Sequence, residues 1–283
     1  MIRYNGRRRI FRTAGNRDII YVAPQRRENM DVGQATRWVK LIVPMLRQDV
    51  ETAVLSHEVM EAQNAVIPPG LKGHRTDFVN TYGAIQNALV LKLAMDVARV
   101  FDFSVGRPIE RQDMASIPVL AMLFRTGSVK ETLVENASQW LSGVEWAGAE
   151  DGDRTADLQD IALELEEDHR LADGDACRSA INDFLVVNDR VSDVGSEEGL
   201  ALARVRAFRN RRLAHSLFNK EPDEYPRYSD LTMLLELAKK AAALSSLAVE
   251  GLNVNFEEQT SRNRQNAEGF AARVLDGLKR SPD

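Results

Sequence analysis

The chain is predicted to be all-α, an antiparallel helical bundle with extra helices and a basic N-terminal arm. Apolar residues recur at three- and four-residue spacing through most of its 283 residues, the period of helices that bury one face. No alternating run exceeds four or five residues, and the best strand candidate is "DIIYVA" at 18–23. The breaks between periodic segments, such as "KEPDEYPRYSD", are short, and short connections make neighbouring helices antiparallel.

Residues 1–30 are read as a basic, poorly ordered arm. Up to residue 40 the chain carries ten Lys and Arg against three acids. Such an arm is either a tail or a phosphate-touching segment. The first helix reads as "QATRWVKLIVPMLRQDVETAVLSHEVMEAQNAV", with Pro44 expected to kink it or to start its second part. "IPPGLKGHRT" is expected to end it. The second helix runs through "TDFVNTYGAIQNALVLKLAMDVARVFDF" with Thr76 as its N-cap. Phe78, Tyr82, Ile85, Leu89, Leu93, Val97 and Val100 share one stripe.

"SVKETLVENASQWL" opens with Ser128 and Glu131, a capping-box pair. "TADLQDIALELEEDHRL" and "DACRSAINDFLVVNDRV" read as two helices separated by "ADG". The acids crowded between 145 and 175 form a solvated face with no EF-hand spacing. Residues 196–218 form the next helix. "SDLTMLLELAKKAAALSSLAVEGL" is a Leu/Ala helix capped by Ser229. A polar helix at 256–283 follows the main helical domain at 31–255.

Composition excludes several functions. A net charge of −5 means that binding to RNA or DNA needs a local patch. The single cysteine, Cys177, rules out an internal disulfide or a cysteine zinc site and fits a reducing cytoplasm. It is expected to be a small buried residue and not a nucleophile. No apolar run approaches the roughly 18 residues of a membrane span. There is no P-loop, no G-x-G-x-x-G after a strand, no G-x-S-x-G and no H-E-x-x-H. No metal and no cofactor is therefore expected. His57, His74 and His169 are widely separated and are expected to be structural or solvated.

The informative stretch is "RAFRNRRLAHSLF" at 206–218. On an ideal helix of about 100° per residue, with Leu202 at zero, Leu213, Val205 and Phe208 complete a broad apolar face. Arg209, at about 340°, and Arg212, at about 280°, fall inside that face. His215 sits beside Phe208. Arg204 and Arg211 lie on one border, Arg206 and Asn210 on the other. A solvated basic helix would put its arginines opposite the apolar stripe. An inward arginine needs a carboxylate or a wet cleft. In one reading Arg209 pairs with Asp183, Asp230 or Glu236 and Arg212 snorkels. In the other, this face lines a cleft within the monomer or between two subunits.

A cleft holding an arginine and a histidine suits metal-independent RNA cleavage. The imidazole can take the 2′-OH proton or protonate the 5′ leaving oxygen, and the guanidinium can hold the phosphate. Arg209 and His215 are about 120° out of register and ~9 Å apart along the axis. One copy therefore makes an incomplete site. Two copies at a two-fold axis would supply two of each residue.

The sequence Arg209-Asn210-Arg211-Arg212-Leu213-Ala214-His215 resembles the R-x4–6-H signature of HEPN domains. Its "RN(K/R)xxAHS" form is similar to AbiU-type abortive-infection proteins. The earlier "AIQNALVLKLAMDVARVFD" looks like the family's first long core helix, with its "LARxFD"-like ending. The resemblance spans roughly residues 35–255. It implies an α-bundle that dimerises with the motifs facing each other. It also implies a metal-independent endoribonuclease of a toxin–antitoxin or phage-defence system, with RNA as substrate and an antitoxin protein as possible partner. Arg209, Asn210 and His215 are then the catalytic candidates, and Arg204, Arg206, Arg211 and Arg212 the RNA-binding ones. Two other readings stay open. One is a non-catalytic dimerisation or binding module. The other is a nucleic-acid binder that uses the arm with Arg204, Arg206 and Arg211.

Overall fold

The computed structural model describes residues 30–72, 79–140, 155–213 and 224–279, with side chains throughout except at 155–163, 165, 166, 212 and 213. Residues 1–29 of the arm, with "DIIYVA", and Thr76, Phe78, His74 and His215 lie outside these residues. Within them the chain forms eight α-helices and no strand, which is the all-α class that the periodicity predicts.

Helix α1, Val32–Gly70, is the longest, about 58 Å at 1.5 Å per residue. It buries Val39, Val43, Leu46, Val50, Ala53 and Met60, a helical period. Helix α1 continues through Pro44, Pro68 and Pro69 and ends at Gly70, inside the expected "IPPGLKGHRT" break. Each proline removes one i→i−4 hydrogen bond. The carbonyls that lose it belong to Lys40, Asn64 and Ala65, all exposed residues, where solvent is at hand to satisfy a carbonyl.

Helix α2, Val79–Val100, runs back antiparallel to α1. The Tyr82 hydroxyl donates to Asn64 Oδ1 at 2.9 Å, and Gln86 Nε2 donates to Gln63 Oε1 at 2.8 Å. Only the end of the predicted stripe is buried, at Leu93, Val97 and Val100. Ile85 is 48% exposed, because the first half of α2 meets α1 through those polar pairs. Helices α3, Ile117–Phe124, and α4, Val129–Ala137, are short. Helix α4 starts where the Ser128–Glu131 pair places it, but Ser128 makes no side-chain capping bond.

Helix α5, Thr155–Ser192, joins the two segments expected to be separate. Gly174 of "ADG" lies within it, buried against Val134 of α4. The close approach of α4 gives the glycine a packing role in place of a helix stop. Helix α6, Glu197–Phe208, is capped by the Ser196 hydroxyl, which accepts from the Gly199 N–H at 2.9 Å. It passes directly into a π-helical turn, Arg209–Leu213.

Helix α7, Tyr228–Glu250, packs on α1, α2, α4, α5 and α6. Its Ala238, Ala241, Ala242, Ser245 and Ser246 are buried, and these small side chains let several helices approach one axis. Its N-cap is Arg227 and not the expected Ser229. The Arg227 N–H is received by Asp230 Oδ2 at 2.9 Å. Gly251 ends α7 with φ +66°, a left-handed position that favours glycine. Helix α8, Phe256–Lys279, then returns along α1 in the same direction. Arg264 reaches Glu58 at 2.7 Å, and Leu275 covers Gly70. Among the described residues no helix is long and apolar enough to cross a membrane.

Candidate active site around Arg209

Leu202 and Val205 are buried, which fixes the inward face of α6. The ideal-helix phase holds as far as Phe208. In the π turn that follows, hydrogen bonds run i→i+5 and each turn takes in an extra residue. Positions after Arg209 therefore fall behind the ideal wheel, and the angle assigned to Arg212 no longer applies. Single π turns recur at functional sites.

Arg209 stands at the junction. Its side chain is 19% exposed and its Nη1 is paired with Asp102 Oδ2. Its Nε donates to Asn210 Oδ1 at 3.0 Å. The inward direction read from the sequence is thus present, and a carboxylate meets it. None of the expected partners does so, since Asp230 is taken by Arg204 and Glu236 pairs with Lys239 at 2.9 Å. Asp183 is exposed on α5.

Asp102 itself is a residue that sequence reasoning missed. It ends "AIQNALVLKLAMDVARVFD", the segment with the "LARxFD"-like ending, but residue order alone does not pair it with Arg209. Several bonds fix its backbone. Phe101 is fully buried beside it. The Asp102 N–H donates to the Arg99 carbonyl at 3.0 Å, tightening the end of α2. The Asp102 carbonyl accepts from the buried Ser116 hydroxyl at 2.5 Å. Beyond it, Gln112 braces the loop by donating to the Ser104 and Arg107 carbonyls at 2.9 and 3.0 Å.

Arg206 reaches the same corner. Its Nη2 donates to the Phe101 carbonyl. Burial lowers its pKa, nearby Asp102 opposes this, and Arg209 adds to it. Two guanidinium groups thus gather around the single Asp102 carboxylate, and an additional anion would relieve their mutual repulsion.

Arg204 faces elsewhere. Its Nε and Nη2 form a fork on Asp230, at 2.8 and 2.7 Å, and Glu224 lies at 3.6 Å. The hydrogen bond to Arg204 is the main cause holding the Asp230 carboxyl below the usual aspartate range. Arg204 therefore ties α6 to the start of α7. Arg211 is partly exposed on the π turn. The Arg212 side chain and all of His215 lie outside the described part. The structure thus brings Arg206, Arg209 and Asn210 together with Asp102, and it places Arg204 apart from them.

Near the turn, Phe208 contacts Tyr225 at 5.9 Å between ring centres, linking the two sides of the segment that contains His215. Among the described residues no three His, Cys, Asp or Glu side chains gather as metal ligands. A shallow groove of about 340 Å³ between α4 and α5, bordered by Lys130, Glu131, Arg170 and Asp175, is separate from the motif and carries both charge signs. No family model, no curated protein and no solved structure matches this chain.

Proposed function

We propose that the chain is a metal-independent endoribonuclease of the HEPN type, acting in a toxin or phage-defence (abortive-infection) system. Arg209 and His215 from two copies would complete each site. The observation that best supports this is the setting of Arg209, braced at Nη1 by Asp102 and at Nε by Asn210 while still partly open to solvent. A guanidinium fixed in this way meets a phosphate in one orientation, which a mobile surface arginine does not. In the reaction one His215 takes the ribose 2′-OH proton and the 2′ oxygen attacks phosphorus. The bond to the 5′ oxygen breaks, and the second His215 protonates the leaving oxygen. The products are a 2′,3′-cyclic phosphate and a 5′-OH.

The test is RNA cleavage by purified protein in EDTA. Wild type should cut, and Arg209→Ala and His215→Ala should each lose at least about a hundredfold in rate while keeping a cooperative thermal transition. Full activity in both variants would overturn the reading. A second reading, a non-catalytic dimerisation or RNA-binding module, is favoured by the ion pairs of Arg204 and Arg209, which serve stability as they stand. It predicts RNA retention without cleavage, together with lowered stability in the Arg209 variant.

A further inference from the structure

We infer that Asp102 is the positioning residue of this site, which fixes how Arg209 meets a phosphate diester. The inference rests on the ribonuclease reading above. Asp102 has the features such a residue needs. Its backbone is tied to α2 through the Arg99 carbonyl and to the start of α3 through Ser116. Its carboxylate therefore sits at a place fixed by two helices and not by a free loop. It engages Nη1, while Asn210 engages Nε. A guanidinium gripped on two sides cannot rotate about its own axis, and its remaining donors keep one heading. Arg206, anchored on the Phe101 carbonyl next door, supplies positive charge that Asp102 does not fully cancel. The arrangement holds one arginine still and leaves net positive charge for an incoming phosphate.

This division of labour has a kinetic signature. Removing the Asp102 charge makes the corner more positive, so ground-state attraction for RNA holds or strengthens. Orientation in the transition state is lost, and kcat falls. A residue that served folding alone would instead lower the thermal transition and leave kcat per folded molecule unchanged.

The experiment measures kcat and KM of the full chain on an oligoribonucleotide in EDTA, beside thermal unfolding, for wild type, Arg209→Ala, Asp102→Asn and Asp102→Glu. The expected result is a kcat lower by about tenfold in Asp102→Asn and by about threefold in Asp102→Glu, with KM equal to or below that of wild type. Asp102→Glu keeps the charge and decides the matter if the Asn variant fails to fold. A folded Asp102 variant with wild-type kcat, or a loss carried by a raised KM, overturns the positioning role alone, provided that wild type cuts and Arg209→Ala does not. Absence of cleavage by wild type overturns the ribonuclease reading and this inference with it.

Discussion

At Arg209 the helical phase was readable from residue order, because Leu202, Val205 and Phe208 are all in register with an ideal helix up to that point. The partner was not, because Asp102 is 107 residues away and meets Arg209 only when α2 and α6 cross. Asp230 shows a second such pairing. Its carboxyl is depressed below the ordinary 3.8 chiefly by the Arg204 hydrogen bond. A depressed carboxyl contributes stability above its unfolded pKa and loses it as pH falls through the folded value. Asp230→Asn should therefore cost about 3 kcal/mol near neutral pH. That difference should shrink below about pH 4, as read by urea unfolding across pH. Cys177 is buried and its thiol approaches the Ala248 carbonyl at 3.2 Å. Burial pushes its pKa up to about 11. A thiol reagent at neutral pH should react with it only after unfolding, and labelling with and without denaturant checks this.

At the level of elements, the turn from α5 to α6 sets where the basic segment points. Ser196 accepts from the Gly199 N–H, and a Cβ on Gly199 would lie 1.9 Å from the Asp193 carbonyl oxygen. Because that neighbour is backbone, Gly199→Ala must open the turn, at a cost of about 2 kcal/mol or more. A fall in the thermal transition, with lower activity per folded molecule, is the expected result. Helix α8 is held to α1 by a different device. Glu58 is 2% exposed and accepts from His57 Nδ1 at 2.9 Å and Arg264 Nε at 2.7 Å. The His57 ring stacks on Tyr228 at 6.0 Å, and the Tyr228 hydroxyl donates to Glu61 at 2.7 Å. Arg264→Ala would leave the buried Glu58 carboxylate to the His57 imidazole. Because the Arg264 side chain is 52% exposed and its charge is screened by solvent, about 1 kcal/mol of destabilisation is expected, with earlier hydrogen exchange along α8 than in the rest of the bundle.

At the scale of the whole molecule, the composite-site reading needs two copies, so activity per chain should fall on dilution through the dimer dissociation constant. Concentration-independent specific activity from micromolar to nanomolar protein, with only monomer by light scattering, would remove the two-copy requirement. Large apolar side chains are exposed on α1 at Leu41 and Met45, 64% and 56%, and on α2 at Ile85. The sequence could not separate these from core positions, because periodicity shows that a helix has an apolar face but not whether another helix covers it. By itself the sequence determined the all-α class, the face of α6 that turns inward, and the arginine–asparagine–histidine spacing on which the proposed reaction rests. These follow from local spacing, since side chains three and four residues apart share a face wherever the helix sits. Tertiary structure alone decided that α1 runs on through its prolines, that α5 is one helix, and that a π turn ends the ideal phase at Arg209. It also decided that Asp102 meets Arg209 while Asp230 meets Arg204. A buried guanidinium requires some carboxylate, but which one it meets depends on which helices cross, and that depends on the packing of the whole core.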